Sequence, residues 1–185
     1  MSTVGIDEVG RGSIAGPVVA CAVILPDDFK DPSIVDSKKI SELKREKVCE
    51  IVLGNALDVG IGVVCNRIID KINILKATKQ AMHLALGELK TDYCMIIVDA
   101  VKLNNIDCEM IHPIKADENY ISVSAASIVA KVYRDSLMKK LHSLYPIYEW
   151  NKNKGYGTKK HLAMVEQYGL SLLHRETFIK QKNVV

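Results

Sequence analysis

Two short apolar runs in this chain each stop at a carboxylate. Val4-Gly5-Ile6 leads into Asp7 and Glu8, and Met95-Ile96-Ile97-Val98 leads into Asp99. Runs of this length bounded by polar residues read as buried strands. A carboxylate at the end of a buried strand is costly unless it is paired or holds a cation. One such acid would be an ordinary turn residue or cap. Two in one sheet point to a metal-holding centre, since ligands of α/β sheets gather at strand ends. Neighbouring strand residues face opposite ways, so Asp7 and Glu8 share a site only if the strand bends there, a bend that Gly10 and Gly12 would permit.

The rest of the pattern supplies the sheet. Residues 3–7, 18–25, 56–65, 93–98 and 106–112 read as strands. Residues 42–53, 68–89, about 118–144 and 158–168 read as helices, with Ser41 and Thr158 as N-caps and Gly169 as a stop. A block of β elements followed by alternating strands and helices predicts an α/β domain, a central mixed five-stranded sheet flanked by helices with a small helical C-terminal part. No repeat or low-complexity linker interrupts the chain, so its 185 residues are expected to form one domain.

Charge divides that domain unevenly. The formal net charge is +3, yet residues 151–185 hold seven basic side chains against Glu166 and Glu176. Residues 145–185 are therefore expected to form a basic substrate-binding part, with Lys152, Lys154, Lys159 and Lys160 as phosphate contacts, beside a slightly acidic body. Taken alone, a Lys-rich solvated surface explains the same charges. No apolar run approaches the roughly 20 residues of a membrane span, and no signal peptide is evident, so a cytoplasmic protein without membrane contact is expected. The five cysteines lack a C-x-x-C pair, which disfavours zinc and redox motifs and suggests buried thiols.

Two polar segments remain. Gly10-Arg11-Gly12-Ser13-Ile14-Ala15-Gly16 is neither a P-loop nor a dinucleotide fingerprint, but its backbone can approach a phosphate or sugar closely. Gly155-Tyr156-Gly157 puts a ring on a pliable loop, suited to stacking. A third acid for the centre has two candidates, Asp117 and Asp135. Eighteen residues of helix, about 27 Å, separate them, so only one can serve. Spacing does not choose between them.

These segments together resemble the ribonuclease HII family. The similarity runs from Gly5-Ile6-Asp7-Glu8-Val9-Gly10-Arg11-Gly12 and Ala15-Gly16-Pro17 through Asp36-Ser37-Lys38-Lys39, Val98-Asp99, Lys115-Ala116-Asp117 and residues 124–135. It continues to Gly155-Tyr156-Gly157-Thr158 and His174-Arg175-Glu176-Thr177-Phe178. The resemblance implies an RNase H-like fold and metal-dependent cleavage of RNA–DNA hybrids, and of DNA containing single ribonucleotides. It implies that Asp7, Glu8, Asp99 and Asp117 are catalytic and hold two Mg2+ or Mn2+ ions, which favours Asp117 over Asp135. It further implies substrate contacts from Gly10, Arg11, Gly12, Ser37, Lys38, Lys39 and Tyr156. Ala100 departs from the Gly that many bacterial members carry after the aspartate. A monomer is expected, and no sliding-clamp tail follows Phe178. The rival readings are a non-catalytic hybrid-binding module and an RNase H-like nuclease acting on DNA alone.

Overall fold

The computed structural model describes residues 2–34 and 40–182, with side chains to residue 179. Five strands form one sheet: β1 (Ser2–Val9), β2 (Val18–Ile24), β3 (Asp58–Val64), β4 (Tyr93–Val98) and β5 (Glu109–Ile111). Their order is β3-β2-β1-β4-β5. β1 is antiparallel to β2, and β2 to β3, whereas β1–β4 and β4–β5 are parallel. The mixed sheet read from the sequence is therefore present.

Eight helices flank it among the described residues: α1 (Glu42–Asn55), α2 (Asn66–Ile72), α3 (Ile74–Gly87), α4 (Ala116–Asn119), α5 (Ile121–His142), α6 (Trp150–Asn153), α7 (Lys159–Tyr168) and α8 (Glu176–Lys182). Side-chain alternation along β1 and β2 divides the core between two layers. Val4, Ile6, Ala20, Ala22 and Ile24 pack with Ala77, Ala81, Met82 and Ala85 of α3. Cys21 and Val23 pack with Val48 and Val52 of α1 and with Ala125, Ala126 and Ile128 of α5. Gly5 brings α5 closest, because a Cβ there would run into the backbone of Ser122.

Two predicted helices are broken. The segment read as 68–89 divides at Asn73, whose φ of 71° ends α2 while its side chain accepts from the Lys76 N–H to cap α3. Asn performs both tasks because it tolerates positive φ and caps well. The segment read as 118–144 begins earlier, at Ala116, and divides at the extended Tyr120. The 3-10 turn Pro146–Tyr148 and helices α6 and α8 carry too little periodicity to be read from sequence. Cys21 and Cys49 are buried as expected, but Cys65 and Cys94 are exposed. Cys65 sits at the start of α2, and Cys94 lies beyond the three-residue β5, which begins pairing at Met95.

The α5–sheet contact yields a prediction. Gly5→Ala sets a methyl against helix backbone, which cannot swing aside as a side chain can. It should cost about 3 kcal/mol, lowering the melting temperature by roughly 6–12 °C in a thermal denaturation scan.

Candidate active site

β1 and β4 run parallel, and β4 ends beside Ile6, which sets Asp99 near Asp7. The last register pair between them is Ile6 with Val98, after which β4 turns away and β1 continues beside β2 to Val9. Asp7 and Glu8 stand where this divergence opens the sheet. The strand does not bend between them, since Asp7 and Glu8 remain paired with Cys21 and Ala20. The bend comes later, at Gly10, with φ of 92°.

Asp7 faces α5 and is 6% exposed. It hydrogen-bonds the Ser127 side chain and accepts from the Glu8 N–H at 2.7 Å. Burial, then the Glu8 charge, and more weakly that of Asp99, push its carboxyl up to about 8. Glu8 accepts from the Arg11 guanidinium at 3.2 Å. The Asp99 N–H donates to the Ile6 carbonyl at 3.4 Å, holding Asp99 against β1. Its Oδ1 accepts from the Ala116 N–H at 2.9 Å. That bond ties the first residue of α4 to the end of β4 and brings the buried Asp117 into the same neighbourhood. The Ser124 hydroxyl donates to the Asp117 carbonyl and fixes α4 against α5.

Asp135 belongs elsewhere. It is buried and pairs with Lys131 at 2.7 Å and Arg45 at 3.9 Å, joining α5 to α1. The surface pairing with Arg134 or Lys139 that its sequence neighbours suggest is not what forms. Lys139 instead meets Glu42 and Glu46, and Arg134 lies fully buried.

The glycine-rich loop lies against the Tyr156 segment. Ser13 bridges Tyr156, and Ala15 bridges His174, so residues 13–15 form the middle line of a small three-segment platform. Two buried guanidiniums support it. Arg134 donates to the carbonyls of Ala15, Pro17 and Lys154, and Arg175 to those of Arg11 and Gly16. Gly10 lacks a side chain because a Cβ would strike the Arg134 guanidinium, a packing reason. Around Gly12, by contrast, a Cβ would meet only open space.

Two expectations need correction. The Tyr156 ring is half-buried rather than exposed, 5.6 Å from the Arg134 guanidinium and 5.7 Å from the Lys131 ammonium. Lys154 is buried and pairs with Glu42 at 3.4 Å, so it is no phosphate contact. Lys152 and Lys160 both pair with Glu149 yet stay exposed, as Lys159 does. Ser37, Lys38 and Lys39 lie outside the described residues.

The donors suit a hard divalent cation. Asp7, Glu8, Asp99 and Asp117 offer only oxygen ligands, and the upward shift of Asp7 is what a cation would reverse. Among the described residues no group of three or more His, Cys, Asp or Glu side chains is already gathered closely enough to hold a metal ion. Mg2+ commonly binds through one or two carboxylates, completing its shell with water and substrate phosphate, so an open set of acids fits it.

Sheet order and flanking helices are those of the RNase H-like fold. The ribonuclease H2 from Pyrococcus horikoshii OT3 shares the fold with a TM-score of 0.81 at 24% identity, over 98% of this chain and 96% of that one. Bst-RNase HIII in complex with Mn2+ shares it with a TM-score of 0.75 at 20% identity, over 100% of this chain and 70% of that one. The sequence narrows the class. Residues 4–181 match the family model of ribonuclease HII. The ribonuclease HII of Caldanaerobacter subterraneus subsp. tengcongensis is 46% identical over 177 residues, covering 96% of this chain and 73% of that protein. The chain belongs to the ribonuclease HII family and is a type 2 ribonuclease H, an endonuclease.

The state of Asp7 gives a second prediction. Its folded pKa lies above the ordinary aspartate value, so the native state retains a proton that the unfolded chain releases. The stability linked to it is present below about pH 4 and lost as pH rises to about 8. Metal-free Asp7→Asn should therefore melt above metal-free wild type, by about 5 °C or more at pH 8 and by less at pH 5. Added Mg2+ should raise the wild-type melting temperature more than that of the variant. An Asp7→Asn melting temperature below wild type at pH 8 would make Asp7 a structural residue.

Proposed function

We propose that this protein hydrolyses the RNA strand of RNA–DNA hybrids and cuts on the 5′ side of single ribonucleotides in duplex DNA. The products carry 3′-hydroxyl and 5′-phosphate ends, and the activity serves ribonucleotide removal from DNA. The observation that carries this reading is the electrostatic coupling of Asp7 with Glu8 and Asp99 at the ends of two parallel strands. Acids forced together at partly buried strand ends suit a site that works with bound cations, rather than one that only grips a nucleic acid.

Asp7, Glu8, Asp99 and Asp117 would hold Mg2+ or Mn2+ in a two-ion arrangement. Such ions supply an activated water and neutralise the charge on the phosphoryl and leaving oxygens. The protein's own part is placement. Asp7 and Glu8 are fixed by the β1–β2 ladder, and Asp99 holds the start of α4 and with it Asp117. The open backbone at Gly12 suits contact with a ribose 2′-hydroxyl, the group that distinguishes RNA from DNA. Arg11 is close enough to balance Glu8 and to meet a phosphate. Tyr156, linked to this loop through Ser13, would pack on the adjacent deoxyribose and hold the RNA–DNA junction in register. No described helix is long and apolar enough to cross a membrane.

Cleavage-site mapping tests the reading. A duplex with one embedded ribonucleotide should be cut once, on its 5′ side, and an all-DNA duplex should stay intact. Cutting of the all-DNA duplex would favour the DNA-nuclease alternative, and absence of any cutting the binding-module one. Asp117→Asn should lower cleavage by about 10²-fold or more without unfolding the protein. Asp135→Asn should retain turnover while melting several degrees lower, because it removes the partner of Lys131 and Arg45. Tyr156→Ala should reduce cleavage at a single ribonucleotide by about tenfold more than cleavage of a continuous hybrid, where many registers are available.

A further inference from the structure

Beneath the Tyr156 segment lies a group of rings that none of the steps above uses. Tyr148, Trp150, His161 and His174 pack together, with His161 and His174 buried. The two imidazoles meet through their Nε2 atoms at 3.1 Å. Their partners determine where each proton sits.

The Ser171 N–H points at His174 Nδ1 from 2.9 Å, so that nitrogen accepts and the proton of His174 is on Nε2. His174 Nε2–H therefore donates to His161 Nε2. The Trp150 indole N–H, which can only donate, reaches the same His161 Nε2 at 3.1 Å. His161 must then carry its proton on Nδ1, which lies 2.9 Å from the Tyr156 carbonyl, an acceptor only. The Trp150 and His174 N–H groups share the one lone pair of His161 Nε2, and reversing either tautomer sets two donors face to face. Burial, followed by the neighbouring His161, moves the His174 pKa down to about 4, in keeping with a neutral pair.

The series ends at two backbones that hold the glycine-rich loop. His174 bridges Ala15, and Tyr156 bridges Ser13. The loop is thus flanked by two segments, and the imidazoles join those segments to each other. We propose that His161 and His174 are positioning residues for nucleotide recognition, a neutral pair of fixed tautomers that sets the main-chain position of Tyr156 relative to the glycine-rich loop. The inference rests on the proposed role of Tyr156 at the junction and adds what holds that residue in place.

The two halves of His161 can be separated by substitution. In His161→Asn an amide N–H takes roughly the place of Nδ1 and can still donate to Tyr156. In His161→Gln the amide reaches toward the place of Nε2 and loses that bond. Cleavage of the single-ribonucleotide duplex and of a continuous hybrid by the full chain with Mg2+ is compared for wild type, both His161 variants and Tyr156→Ala. The Gln variant should lose about tenfold in kcat/KM with the same substrate bias as Tyr156→Ala, and the Asn variant, which keeps the bond to Tyr156 but gives up the one to His174, should lose less, about threefold, with the same bias. A packing role alone reverses that order, because Asn leaves the larger hole. Imidazole 15N spectra of the wild type at pH 7 supply a readout independent of activity and of the variants' folding. They should show Nδ1–H for His161 and Nε2–H for His174.

Opposite tautomers, or equal activity of the Asn and Gln variants, overturns the proposal. A Tyr156→Ala variant that loses both substrates equally overturns the junction role instead. The positioning role would then stand on the 15N assignment and on the Asn-over-Gln order in overall activity.

Discussion

Two arginines without surface exposure hold the working face of this protein together. Arg134 comes from α5 and Arg175 from the start of the C-terminal helix, and both donate to carbonyls of the segment from Arg11 to Pro17. That segment turns sharply, and its carbonyls point inward where neither helix nor sheet can satisfy them. A guanidinium has five donors in a fixed fork and can answer several carbonyls at once. The arrangement costs electrostatic free energy. Burial, and then the neighbouring Arg134, draw Arg175 down to about 9, with Asp70 and Tyr156 opposing the shift. Cationic cost on one side of the site stands beside anionic cost on the other, where Asp7, Glu8 and Asp99 repel.

These opposed strains explain the division of labour. Asp7 and Glu8 are carried by a regular strand whose ladder keeps them in place whatever their charge. The glycine-rich loop has only isolated bridges to Tyr156 and His174 and depends further on side chains reaching from distant parts of the chain. Arg11 lies between the two, with its guanidinium on Glu8 and its carbonyl held by Arg175. A polyanion arriving there meets an arginine already ordered at the edge of the acidic cluster.

The sequence makes the strands and their acidic ends legible because both are local signals: an apolar run, then a carboxylate. The Thr158 cap and the Gly169 stop of α7 are legible for the same reason. What escapes is whatever depends on partners far along the chain. Gly10 reads as a site for close approach to substrate, but Arg134, more than a hundred residues later, occupies the space its Cβ would need. Lys154 reads as a phosphate contact until Glu42 is brought beside it. Asp117 and Asp135 look alike in spacing, and only the Asp99–Ala116 bond and the Lys131–Asp135 pair tell them apart. His161 and His174 lack any ligand spacing, and their significance lies in a contact between two segments that sequence does not join.

The mixed sheet also sets an order of assembly. β1, β2 and β3 form an antiparallel meander from the first third of the chain, whereas β1–β4 pairing joins Ile6 to Val98 across some ninety residues. Local pairings close quickly, and distant parallel ones wait for the intervening chain to find its place. Asp99 and Asp117 therefore reach Asp7 and Glu8 only when the slow half of the sheet docks. Opening of β4 and β5 would remove both later acids together while leaving the meander intact, so nuclease competence would report on that single seam rather than on the melting of the whole.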